Sequence, residues 1–241
     1  MNNSYYETLD ENFNEALNLI DKDLTHSELV QMLLNGNIPQ KQLAALRLEE
    51  LTSKDDAAAL LNNLVGQDGK IREAVSLKIK ELAADNYYKK YFYELDNETL
   101  SDYFLAAIID INGNICRNIL DTIIYFEDNN IFTGLFTNKL VKLIYELNDK
   151  IKDFDFQDGK YKVNKEVFKL YWCLEAVNIY YNKIPLSDLK NIIKTSKNID
   201  EYTIREKVAK ILTNDIKDKE LLIIREELKN DKNYYVRRIL N

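Results

Sequence analysis

His26 is the single imidazole in 241 residues, which rules out a His-paired zinc site, an HExxH helix or an imidazole relay. It stands beside an expected helix N-cap at Thr25 and reads as a solvated surface histidine. Gly66-Gln67-Asp68-Gly69-Lys70 looks at first like a phosphate loop. Only two residues separate its glycines, however, and Ile71 stands where a magnesium-binding Ser or Thr belongs, so the stretch reads as a helix end followed by a cap. Cys116 and Cys173 fall in apolar helical runs, as small buried hydrophobes rather than nucleophiles. The pairs Asp55-Asp56 and Glu226-Glu227 are adjacent on helices and point roughly 100° apart, so they read as caps and solvated faces rather than as the facing carboxylates of a glycosidase. Asp153, Asp155 and Asp158 do not form a calcium loop: counted from Asp153, Gly159 falls at position 7 and Asn164 at position 12. No catalytic residue, cofactor or metal is expected.

The elements that must position any site are therefore the main content of the sequence. It has 33 Lys and Arg against 40 Asp and Glu, a net charge of −7, with 46% hydrophobic and 30% charged residues. That is the balance of a globular chain long enough to bury a core without disulfides or metal. Two Cys fit a reducing compartment. With 2 Pro and 6 Gly there are too few turn formers for a sandwich or barrel, which favours an all-α fold. The opening MNNSYYETLDENFNEAL has neither a basic n-region nor an apolar h-region, and no run approaches a membrane span, so the expected location is cytoplasmic. An acidic total also makes nucleic acid an unfavourable partner.

Helical spacing of Leu9, Phe13, Leu17 and Ile20 predicts a first helix over about 5–21. Thr25 with Glu28 forms a capping box, and Gly36 occupies a left-handed C′ position. Asn37 and Pro39 open a helix to Leu51, Ser53 with Asp56 caps one that stops at Gly66, and Asp68 opens one to about Ala84. Further helices are expected over about 86–95, 98–110, 114–127, 130–152, 164–183, 186–196, 200–213, 218–229 and 232–240. One segment departs from this pattern. Phe154 and Phe156 alternate ahead of Asp158-Gly159, and Tyr161 and Val163 alternate after it, which reads as a β-hairpin over 154–163.

An internal repeat organises the helices. QKQLAALRLEEL at 40–51 superposes on IREAVSLKIKEL at 71–82 at an offset of about 31 residues, placing Ala44 on Val75, Leu46 on Leu77, Leu48 on Ile79 and Leu51 on Leu82. An apolar residue followed by Arg recurs early in later helices, at Arg117, Arg205 and Arg237. Asp68, Asp200 and Asp231 come shortly before such arginines, so that a carboxylate at one helix start can meet the guanidinium of its own or the next repeat. The Asp-x-x-apolar-Arg pattern, best preserved as Asp68, Ile71, Arg72 and Val75, resembles the HEAT-repeat family and its short phycobilisome-lyase-type relatives. That resemblance implies a single α-solenoid domain over 1–241, built of antiparallel helix pairs whose concave face binds another macromolecule. Residues 1–36 would be N-terminal capping helices, 37–95 clear repeats, 96–199 divergent repeats carrying the hairpin, and 200–241 C-terminal repeats.

Within this frame the expected activity is non-enzymatic protein binding, as a scaffold, adaptor or immunity-like protein that masks a basic or mixed surface. The proposed contact residues are Tyr87, Lys89, Lys90 and Tyr93, which fall outside the core face of Tyr88, Tyr91, Phe92 and Leu95, with a second patch at Tyr180, Tyr181 and Lys183. The competing reading is that neighbouring repeats cover these rings. Tyr234 and Tyr235 are expected to cap the stack. Two alternatives carry over from the family resemblance: a base-excising DNA glycosylase, for which Trp172 is the sole tryptophan and sits in the apolar run LYWCLEAV, and a lyase-like chaperone for a chromophore-bearing protein.

Overall fold

Capping side chains set where the helices begin. A computed structural model describes residues 14, 17–152 and 160–241, and every regular element among them is helical. Helix α1 is His26–Asn35, opened by the expected box in which the Glu28 carboxylate accepts from Thr25 N at 2.8 Å and the Thr25 hydroxyl accepts from Glu28 N. Reciprocal boxes at Asn37 with Gln40 and at Ser53 with Asp56 open α2, Ile38–Arg47, and α3, Lys54–Leu61. Asp68, Asp85 and Asn112 each cap a backbone N–H two residues on and start α4, Gly69–Ala83, α5, Asn86–Tyr93, and α7, Gly113–Ile123. Between them lies α6, Asn97–Ile108, and a 3-10 turn, Ile124–Phe126, follows α7. The remaining helices are α8, Asn130–Lys152, α9, Lys160–Tyr180, α10, Leu186–Ser196, α11, Tyr202–Ile211, α12, Lys219–Leu228, and α13, Tyr234–Leu240.

Several expectations are corrected. Gly36 is extended, at φ −71°, rather than left-handed. Its missing side chain serves a close approach instead, since a Cβ there would lie 2.5 Å from the Met32 carbonyl and 2.9 Å from Gln40 Cβ. The left-handed glycine among the described residues is Gly66, at φ 76°. Helix α2 stops at Arg47, four residues short of Leu51, because an extended stretch carries Leu48 and Leu51 into the core before the Ser53 cap. The hairpin expected over 154–163 has no counterpart among the described residues: 153–159 lie outside them, and 160–163 are the first turn of α9. In sequence the apolar period of Val167, Leu170, Leu174 and Val177 extends back to position 163, which favours helix over strand there. Of the first helix, 14 and 17–20 are helical, 21 is already a turn, and the remaining positions lie outside the described residues.

The chain divides into two compact units, one of the residues up to Ala107 with Asn112–Asn129, the other of Ile108–Ile111 with Asn130–Asn241. In the first, α1 packs on α3 and α3 on α5, while α2 packs on α4 and α4 on α7, giving two rows joined by the α1–α2 and α3–α4 contacts. Leu33, Ala44, Leu60, Ile71, Val75, Ile79 and Phe92 fill the space between them. Phe126 closes this core with its ring 5.5 Å from Phe104 and 6.3 Å from Phe92, both edge-on.

In the second unit α9, α11 and α13 form one row and α8, α10 and α12 the other. Phe132, Phe136 and the fully buried Tyr180 form its aromatic core, with Phe136 and Tyr180 rings 5.8 Å apart. Polar groups tie successive members of each row. Lys190 on α10 reaches Asp218, the cap of α12, at 2.7 Å, and Glu175 on α9 holds Lys207 and Lys210 of α11 at 2.6 and 2.8 Å. Burial raises the Glu175 carboxyl, but the two ammonium groups outweigh it and leave its pKa below the ordinary value.

Candidate functional site

The α5 stretch NYYKKYFY puts its expected contact residues to different uses. Phe92 alone is fully buried. Lys89 donates to the Tyr125 carbonyl at 3.1 Å and to the Asp128 carboxylate at 3.3 Å, and the Tyr93 hydroxyl donates to both of the same groups. The two side chains therefore fasten α5 to the segment after α7 and are not a free surface. Burial and the Asp128 carboxylate raise the Tyr93 hydroxyl pKa, while the Tyr93 hydrogen bond leads the effects that lower that of Asp128. Tyr87 is different. It is 60% exposed, meets Tyr88 edge-on at 5.2 Å, and has the Lys90 ammonium 4.0 Å from its ring centroid; the same ammonium lies 4.7 Å from Tyr91.

Tyr88 lines one side of a cleft of about 630 Å³ whose other walls come from the approach to α1 and the end of α2: Asp23, Leu24, His26, Leu29, Leu46, Arg47, Glu49 and Glu50. The cleft forms here because α2 ends early. Arg47, at its last turn, spends Nη1 on the carbonyls of Leu19 and Lys22 at 3.2 and 2.9 Å. His26 is not simply solvated, as the sequence suggested, since its Nε2 lies 3.0 Å from Asp56 Oδ2. That Asp56 oxygen also accepts from Thr52 N and Thr52 Oγ1, each at 2.8 Å, and from Ser53 N at 3.1 Å. Burial alone would raise the Asp56 carboxyl, but the Thr52 and His26 hydrogen bonds prevail and lower its pKa. Asp23, Glu49 and Glu50 have no ion pair among the described residues, so the cleft is electronegative. Burial first, and then the Glu50 and Asp85 charges, raise the Tyr88 hydroxyl.

Tyr180 is corrected as a contact residue, since it is fully buried on the core face of α9 in period with Val177 and Cys173. Tyr181, half-buried, lines a smaller hollow of about 340 Å³ with Leu186 and Ile216. The repeat residues take a recurring form in which the helix-start arginine grips backbone. Arg72 donates to the Gln67 carbonyl, Arg205 to the Ile199 and Asp200 carbonyls at 2.9 and 2.7 Å, and Arg237 to the Asp231 carbonyl at 2.5 Å. Arg205 also reaches forward in a fork to Asp231, Nε to Oδ2 at 2.7 Å and Nη2 to Oδ1 at 3.2 Å. Asp68 caps Lys70 N, and Asp200 meets Lys232 at 2.5 Å. Arg117 departs from the form and is exposed, while Glu73 of α4 is held instead by Asn112 and Asn114, each at 2.8 Å.

Sequence reasoning passed over Glu49 and Glu50, and it took Asp56 only as a cap and Tyr88 as part of the core face. The Ser53–Asp56 box was legible, but nothing local showed that His26, thirty residues earlier, would land on the same carboxylate. Cys116 and Cys173 are buried, and Trp172 lies buried edge-on to Phe168 and Tyr171. Among the described residues no group of three His, Cys, Asp or Glu could hold a metal ion, and no helix is long and apolar enough to cross a membrane. No family model matches the chain, and neither the curated proteins nor the solved structures contain a match.

Proposed function

We propose that the chain is a non-enzymatic scaffold of stacked HEAT-like helix pairs, an α-solenoid that docks a partner protein of basic or mixed surface against its first unit. The observation that carries this reading is Tyr87, a large exposed ring met by the Tyr88 edge and the Lys90 ammonium, next to Tyr88, which lines a cleft with Asp23, Glu49 and Glu50. A pre-ordered tyrosine loses little rotamer freedom on binding and is the kind of side chain that anchors an interface. Asp23, Glu49 and Glu50 in that cleft match a basic partner and disfavour an acidic one. The two-row packing supports the same reading, because each helix pair buries its apolar face against the next and leaves the outer ends free for contacts.

The test is affinity capture with the full chain, identification of the retained protein, and titration of that protein against wild type, Tyr87→Ala and Glu49→Gln/Glu50→Gln. Loss of about tenfold or more in affinity for each variant is expected, the scale of an interface anchor. Equal affinity across all three removes this surface from the function.

A further inference from the structure

His26 is the one imidazole in the chain, and it lies in the wall of the cleft that Tyr88 lines. Imidazole is the side chain whose charge ordinarily changes between about pH 5 and 8, while carboxylates, tyrosine and arginine each keep one state across that range. A proton-dependent property of this cleft near neutral pH therefore has one place to come from.

The groups around the imidazole come from four stretches of the fold. Its Nε2 is 3.0 Å from Oδ2 of the buried Asp56, the third residue of α3, and 3.4 Å from the Thr52 hydroxyl. Asp23 and Leu24 lead into α1, Arg47 ends α2 and is followed by Glu49 and Glu50, and Tyr88 comes from α5. Lys22 is not among the lining residues, and its charge acts on Glu28. In the lining, three carboxylates stand against one guanidinium, a formal charge of −2 that protonation of the imidazole reduces to −1. One proton halves the charge of the cleft. The imidazole side chain is 27% exposed, so its charge is felt in the cleft without being dispersed in bulk water. Asp56 does not take up the proton in its place. Burial favours the neutral carboxyl, but the Thr52 and His26 hydrogen bonds outweigh it and keep the Asp56 pKa below its ordinary value.

We infer that docking of a cationic side chain in this cleft is linked to the protonation of His26, so that acidification weakens the hold on a basic partner and a return to neutral pH restores it. The inference rests on the docking reading above and adds its regulation. Its sign follows from charge alone: a lysine or arginine of the partner is attracted more strongly by −2 than by −1, and by reciprocity its arrival drives the proton off the imidazole. Asp56 keeps the protonated ring in the cleft wall, since the same 3.0 Å contact becomes an ion pair.

The test uses the full chain and a labelled peptide of repeated Lys-Gly-Arg-Gly, titrated by fluorescence anisotropy at about pH 7.5 and about pH 5.5 at one ionic strength. Binding by wild type is expected to be about threefold or more weaker at the lower pH, and this ratio is expected to approach one in His26→Gln, whose amide can still donate to Asp56. Glu49→Gln/Glu50→Gln is compared with Glu94→Gln/Glu127→Gln, an equal charge change at exposed positions in the same unit. Calorimetric titration of wild type at about pH 6.5, in two buffers of different ionisation enthalpy, counts the protons exchanged; release is expected, and this measurement keeps the test valid where His26→Gln unfolds. Equal affinity at the two pH values, an undiminished ratio in His26→Gln, or docking without proton release overturns the linkage alone. A peptide that fails to bind, or that binds the two double variants equally, overturns the docking reading and the linkage with it.

Discussion

Removing the Asp231 carboxylate should destabilise the second unit more than any other single charge change there. The Arg205–Asp231 pair is 7% and 8% exposed, forked, and has two further carbonyl contacts on the guanidinium. Asp231→Asn leaves Arg205 charged, buried and without its anion, a situation that costs about 3–5 kcal/mol. The double variant Arg205→Met/Asp231→Asn removes both charges, so its cost should fall well below the sum of the single variants, with a coupling of roughly 2–3 kcal/mol. The pH dependence follows from the sign of the shift. Burial raises the Asp231 carboxyl, but Arg205 and the Asn233 N–H outweigh it and bring its pKa below the ordinary 3.8. The carboxylate's contribution is therefore fully present above that value and is lost as pH falls through the lower, folded pKa. Urea denaturation of wild type, both single variants and the double variant at neutral pH, repeated toward pH 3, measures all of this. Additive costs, or an Asp231→Asn penalty below about 0.5 kcal/mol, the range of ordinary surface changes, would refute the reasoning.

Phe126→Ala should cost about 3–5 kcal/mol in the first unit, because it empties a fully buried site between Phe92 and Phe104; a shift in urea midpoint without a change in slope is the check. Asp56→Asn should loosen the His26–Thr52 junction near neutral pH, and its difference from wild type should shrink as the wild-type carboxyl is protonated below the ordinary 3.8; denaturation midpoints across the acid range decide it.

How far the sequence could be read depended on whether a signal was local. The Thr25, Asn37 and Ser53 boxes each lie within four residues, and all three mark helix starts. The end of α2 was not legible, because extended Leu48 and Leu51 are stabilised by burial in a core built from other helices. Gly36 has the composition of a left-handed end but is needed for close passage past Met32 and Gln40, a tertiary requirement. Residues 96–199 read only as divergent repeats, yet α8 and α10 of that stretch continue into the row of α12, and α9 into that of α11 and α13, since row packing asks only for an apolar face at helical spacing. At the candidate sites, Tyr180 was misplaced by one step of the helical period, and Lys89 and Tyr93 by a partner, Asp128, thirty-five or more residues away.

The arginines at the helix starts grip main-chain carbonyls, at Gln67, at Ile199 and Asp200, and at Asp231. A peptide oxygen is present whatever side chain that position bears, so the gripped residue is free to change while the gripping residue is not. Saturation mutagenesis should accordingly show tolerance at 67 and 199 beside intolerance at 72 and 205, a lopsided record in which such clasps outlast the surrounding letters.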